Sequence, residues 1–82
     1  MIIVRLPSSA GASNRELRVV DHLETIADLV AVLERQRPDL RALLHDNLYN
    51  FAVNDTLILH GVDRHPLADG DIVELIPTIA GG

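Results

Sequence analysis

The chain has 82 residues, 48% of them hydrophobic, and a formal net charge of −5, which fits a single domain with one modest core and disfavours nucleic acid and anionic membranes as partners. It contains no cysteine, so disulfides, thiolate metal sites and cysteine nucleophiles are excluded. All seven basic residues are arginine, so no ε-amine is available as an acceptor or Schiff base, and Tyr49 and Phe51 are the sole aromatics, which leaves the core to Val, Ile, Leu and Ala.

The opening "IIVRL" (Ile2 to Leu6) places Ile2, Val4 and Leu6 on one side and Arg5 on the other, the period of a strand. "PSSAGASN" (Pro7 to Asn14) is a turn cluster and "ELRVV" (Glu16 to Val20) a second strand, so the chain is expected to start with a hairpin. In "TIADLVAVLERQRP", Thr25 and Asp28 have the spacing of a capping box. Ile26, Leu29, Val30 and Leu33 then form one apolar helical face, and Pro38 stops the helix. "PDLRALL" predicts a short second helix or 3-10 turn, with Leu40, Leu43 and Leu44 inward.

"LYNFAVND" reads as a third strand in which Phe51 and Val53 alternate with Asn50 and Ala52. Its "ND" is a turn signal leading to a short fourth strand, "TLIL". "HGVDRHPLADGD" is loop, with Leu67 as a buried plug and Asp69-Gly70-Asp71 as a tight turn. "IVELIP" is the last strand, with Val73 and Leu75 facing the core and Glu74 and Ile76 facing out. The order β-β-α-β-β-β predicts an α+β fold: a mixed sheet of about five strands covered by one main helix. The last strand is expected at the centre, parallel to the first. Residues 1–77 form the domain in this reading and 78–82 a flexible C-terminal Gly-Gly tail.

Catalytic machinery has no candidate in the sequence. Asp69 and Asp71 flank a glycine, but no further oxygen ligands follow at calcium-loop spacing, so a turn is the better reading. His22, His45, His60 and His65 lack metal-ligand spacing and read as solvated. No phosphate-binding glycine loop or nucleophile elbow is present. No stretch approaches the ~20 apolar residues of a membrane span. "MIIVRLPSS" has neither basic leader nor cleavage site, and a soluble cytoplasmic protein is expected.

The tail remains. Fully extended, Thr78 to Gly82 reach about 17 Å, and glycines without Cβ fit channels that exclude other residues. On these grounds the tail has two readings, a frayed end or an arm that delivers a carboxylate into another protein's active site.

The strand order, the segment "PLADGDIVELIPTIAGG" and the "VND" of the third strand together resemble the ubiquitin-like sulfur carriers over essentially the whole chain. That family includes the molybdopterin synthase small subunit (MoaD) and the thiazole-synthesis carrier (ThiS), and the resemblance implies the ubiquitin-like β-grasp fold. It also implies a cycle: an adenylating enzyme of the ubiquitin-activating type uses ATP and magnesium to make an acyl-adenylate at Gly82. Sulfur from a persulfide displaces AMP to leave a thiocarboxylate, and an acceptor enzyme takes the sulfur. In this scheme the chain is a carrier, not an enzyme, and binds no cofactor itself. Gly82 is the covalent site and Gly81 completes the slim end of the arm. Pro77, Thr78, Ile79 and Ala80 match the docking linker, and Ile76 and Ala52 belong to an apolar patch that partners grip.

The acceptor expected first is the large subunit of molybdopterin synthase. The ending "IPTIAGG" is more similar to cysteine-synthesis carriers (CysO), which keeps that branch open, as are tRNA thiolation and a role as protein modifier. A plain binding module without tail chemistry is the remaining alternative.

Overall fold

The computed structural model describes residues 1–6, 16–41, 44 and 49–77. Five strands and one α-helix follow in chain order: β1 (Ile2–Arg5), β2 (Glu16–Val19), α1 (Ile26–Gln36), β3 (Tyr49–Val53), β4 (Thr56–Ile58) and β5 (Ile72–Pro77). Single 3-10 turns at Pro38–Leu40 and Val62–Arg64 complete them, the second within a stretch expected to be loop.

The sheet order is β2-β1-β5-β3-β4. β5 lies at its centre, parallel to β1 and antiparallel to β3. The largely apolar "IVELIP" suits that position, because a central strand buries its inward side chains, here Val73 and Leu75, almost completely. This is the mixed five-stranded sheet with one helix of the ubiquitin-like β-grasp fold.

Register assigns every strand residue to a face. Leu17, Val4, Val73 and Val53 lie in one cross-strand row, and Leu75 pairs Phe51, which pairs Ile58. These residues meet Ile26, Leu29 and Leu33 of α1 in a single core. Leu40 and the loop plug Leu67 are buried with them, and Leu44 is partly buried against them, as the sequence predicts. Leu43 lies outside the described residues.

The helix face differs from expectation by one position: Val32 is buried and Val30 only half-buried. Val32 lies one residue before Leu33 and widens the stripe toward β2, so the helix buries a broader arc than the i, i+3, i+4, i+7 set alone.

Helix α1 starts where the sequence places it. The Asp28 amide donates to Thr25 Oγ1 at 3.4 Å, while Asp28 Oδ2 accepts from the Glu24 and Thr25 amides at 3.0 and 3.3 Å. At the other end the Arg37 amide donates to the Leu33 carbonyl before Pro38 breaks the ladder. Arg37 also clamps Asp39 through two hydrogen bonds of 2.7 and 2.9 Å. That hydrogen bonding holds the Asp39 carboxyl below its usual range. Because this is a depressed acid pKa, the pair's small contribution is complete above the ordinary carboxylate pKa and is lost as pH falls through the lowered value.

The turn joining β3 to β4 is a second fixed point. Asn54 and Asp55 both have positive φ, 50° and 70°, the backbone of the primed turn that matches strand twist in two-residue hairpins. Asn54 also stitches this turn to the start of β5. Its Nδ2 donates to Asp71 Oδ1 at 2.9 Å, and its Oδ1 accepts from the Ile72 amide at 3.0 Å. Asn54→Ala is expected to cost about 1–2 kcal/mol, because it removes two side-chain hydrogen bonds and leaves a left-handed backbone that alanine resists. Asn54→Gly should recover only the backbone part. Urea denaturation of the three proteins measures the split, and a glycine variant as stable as the original would show that the hydrogen bonds contribute nothing.

Candidate functional site

The tail is rooted at the centre of the sheet. β1 pairs with β5 from Ile72 to Glu74 only, whereas β3 pairs with it from Val73 through to Pro77, opposite Tyr49. The last stretch of β5, Leu75-Ile76-Pro77, is therefore held on the β3 side. Leu75 anchors it from below as one of the most completely buried side chains. A proline suits the final position, since it fixes φ and supplies no amide to continue the ladder. Thr78, Ile79, Ala80, Gly81 and Gly82 lie outside the described residues, so the structure defines where the arm begins rather than its course.

Around this exit the helix-free face of the sheet divides into two halves. On the β1–β2 side one cross-strand row runs Glu16, Arg5, Glu74, and Arg18 sits 3.8 Å from Glu16. On the β3–β4 side the same row continues into Ala52 and Leu57, and the next row places Ile76 beside Asn50. Ile76 is half-buried and Ala52 only 5% exposed. Ala52 lies outside the core cluster, so it forms the floor of this patch between Glu74 and Leu57.

The protruding side chains are two that the sequence pattern did not single out, Leu57 at 45% and Leu59 at 61% exposure. The signal was present in "TLIL". Once the Asn54-Asp55 turn fixes Phe51 opposite Ile58, Leu57 must face away from the core and Leu59 shares its parity. Leu57 and Leu59 thus leave two large aliphatic side chains exposed on the β4 edge of the sheet, with β3 between them and β5.

The remaining candidates have structural roles. The Asp71 carboxylate accepts from the Ala68 amide at 2.8 Å and from Asn54, while Asp69 forms an ion pair with the Met1 amino group. The "DGD" turn is therefore a clasp between the starts of β1 and β5, with Gly70 at φ 90° donating its amide to the Met1 carbonyl at 2.8 Å. His22 and His60 are exposed and His65 half-buried; His45 lies outside the described residues. Among the described residues, no group of three or more His, Asp or Glu side chains is placed to hold a metal ion. No helix among them is long and apolar enough to cross a membrane.

A β-grasp sheet with an extended central strand leading to Gly-Gly fits a ubiquitin-like sulfur carrier. The model of the ThiS family matches residues 8–82, and the chain belongs to that family.

Three solved structures are similar along their whole length. One is in the complex of subunits 1 and 2 of the molybdopterin-converting factor from Helicobacter pylori, with 26% identity and a TM-score of 0.71 over 99% of this chain and 97% of that one. Another is in the BexX/CysO complex of Amycolatopsis orientalis, with 20% identity and a TM-score of 0.79 over 100% of both chains. SAMP1 from Haloferax volcanii has 24% identity and a TM-score of 0.77 over 99% of this chain and 98% of that one. The last two establish the shared fold alone. The search of curated proteins gives no match.

Proposed function

We infer that this carrier takes its sulfur at Gly82 as a thiocarboxylate and donates it to a molybdopterin synthase large subunit. The observation that carries the reading is the join between a central β5, locked by Leu75, and a family match that runs through Gly82. A free carboxylate is a poor electrophile, so an adenylating partner of the ubiquitin-activating type is required to install AMP as leaving group, using ATP and magnesium. The outer sulfur of a persulfide then attacks the activated carbon and expels AMP. A thiol cleaves the S–S bond of the resulting acyl disulfide, which frees the thiocarboxylate and leaves a disulfide. Water restores the carboxylate when the acceptor takes the sulfur.

The chain's own contribution is positional. Glycines at 81 and 82 keep the reactive end narrow, Pro77 to Ala80 act as spacer and linker, and Ile76, Ala52, Leu57 and Leu59 supply the docking patch. The molybdopterin branch is supported by the likeness to a molybdopterin-converting factor subunit found in complex with its partner subunit. The cysteine-synthesis branch is the second reading, favoured by the ending "IPTIAGG".

Intact-mass spectrometry after incubation with the activating enzyme, ATP, magnesium and a persulfide donor should show an oxygen-to-sulfur increase that maps to Gly82. An unchanged mass under conditions that convert a known carrier would overturn the carrier chemistry. The charged carrier, offered separately to molybdopterin synthase large subunit and to a carrier-dependent cysteine synthase, should lose its sulfur to the first. Transfer only to the second would move the protein to the other branch.

A further inference from the structure

Every basic side chain of this sequence is arginine, and lysine and cysteine are both absent from all 82 residues. That choice bears on a chain whose own carboxylate is to be activated. An acyl-adenylate reacts with whichever nucleophile reaches it first. An amine captures it as an amide that sulfur does not reopen, and a thiol captures it as a thioester. A guanidinium keeps its proton and does not attack, whereas a lysine ammonium gives up its proton readily enough to act as a nucleophile. An imidazole forms only an acyl-imidazole, which a persulfide or water opens again.

The placement of Arg5 makes the distinction matter. Arg5 is exposed on the helix-free face, in register between Glu16 of β2 and Glu74 of β5. A cation opposite glutamates on neighbouring strands is favourable, so charge alone would accept lysine there equally well.

Reach separates this arginine from Arg18 on the same face. From Glu74 to Pro77 is about 10 Å along β5, and β1 lies about 4.8 Å to the side, so Arg5 stands about 11 Å from the root of the tail. Thr78 to Gly82 span about 17 Å when extended, enough to return to it. A nucleophile tethered within such reach acts at an effective concentration of about millimolar. Arg18 pairs with Ile3, which pairs with Ile72, and is about 19 Å away by the same spacings, at the limit of the arm. The Met1 amino group, paired with Asp69, lies by the start of β5, at the end remote from the tail.

We propose that Arg5 is a specificity-determining residue for the sulfur transfer inferred at Gly82, and the proposal rests on that reading. It supplies the cation that Glu16 and Glu74 favour in a form that cannot take the activated acyl group. Lysine at this position would attack the Gly82 carbonyl carbon, expel AMP, release a proton to water and close a lactam between β1 and the tail. Arginine leaves the activated arm to the incoming sulfur nucleophile.

The test starts from the full-length chain carrying a thioester installed chemically at Gly82. No activating enzyme takes part, so a failure of enzymatic adenylation would count against the carrier reading and leave this result untouched. The thioesters of the original chain, Arg5→Lys, Arg18→Lys and Arg5→Gln are held in dilute hydrosulfide and followed by intact mass. Hydrosulfide displaces the thiol and leaves a thiocarboxylate, which should be almost the sole product from the original chain and from Arg5→Gln. Arg5→Lys should instead yield a lactam, one water lighter than the free carboxylate form, with fragmentation placing the new amide between position 5 and Gly82. Its ratio of lactam to thiocarboxylate should exceed that of Arg18→Lys by about tenfold, because effective concentration collapses where a tether barely spans the gap. The lysine substitutions keep charge at exposed positions, so melting temperatures should agree. Thiocarboxylate formed as cleanly from Arg5→Lys as from the original chain, or equal lactam from both lysine variants, would overturn the proposal.

Discussion

Removing Gly81 and Gly82 should abolish thiocarboxylate formation completely and leave the thermal unfolding curve of the domain where it was. The two halves of this result have separate causes. The described strand pairing runs to Pro77, opposite Tyr49, and the last few residues of a domain usually contribute little to its stability. The proposed chemistry has the opposite distribution, since its reactive carbon is that of Gly82 and no core residue is placed to replace it. Calorimetry and intact-mass spectrometry on the truncated and full-length proteins check both halves. Residual sulfur transfer from the truncated chain would show that the tail glycines are not the site. A large fall in melting temperature would show that the tail is part of the packed domain.

A second large effect is expected from two neighbouring residues of β5 that face opposite ways. Leu75→Ala removes one of the most deeply buried side chains, in contact with the core that α1 covers, and should cost about 2–5 kcal/mol. For a chain of this size the total stability is about 4–12 kcal/mol, so this change alone brings the protein close to unfolding. Ile76→Ala, one residue on and half-buried on the helix-free face, should cost under about 1 kcal/mol.

In partner binding the order reverses for the folded proteins. Ile76→Ala should weaken the complex with the activating enzyme, and Leu57→Asp should weaken it further by placing a charge in the middle of the patch. Urea denaturation and titration calorimetry measure the two effects independently. Equal stability losses at Leu75 and Ile76 would contradict the assignment of faces. Unchanged affinity in both patch variants would remove this surface from the docking site.

The fold was legible where one local rule set each element. The Thr25–Asp28 pair announced the start of α1, Pro38 its end, and alternation in "IVELIP" the two faces of β5. The central place of β5 followed from its largely apolar composition. Val32 was missed because helical periodicity finds the centre of a buried stripe better than its width, which depends on what packs against the helix.

Leu57 and Leu59 illustrate a different limit. Their exposure depends on a register fixed by a two-residue turn with positive φ, and on β4 lying at the edge of the sheet, neither of which a short apolar run reveals.

The placement of β5 also has a consequence for how the molecule is made. β1 and β2 form one hairpin and β3 and β4 another, and among the described residues no strand pairing joins the two hairpins except through β5. A chain emerging from the ribosome can build both hairpins early, but the sheet stays in two pieces until the segment after Gly70 arrives. Contacts between distant parts of a chain are slow to form, so docking of β5 between β1 and β3 should be the step that completes folding. Premature termination before Ile72 then yields an unfolded product open to proteolysis, not a stable carrier lacking its arm. Folding itself thus works as a completeness check, because only chains synthesised nearly as far as the tail acquire a sheet.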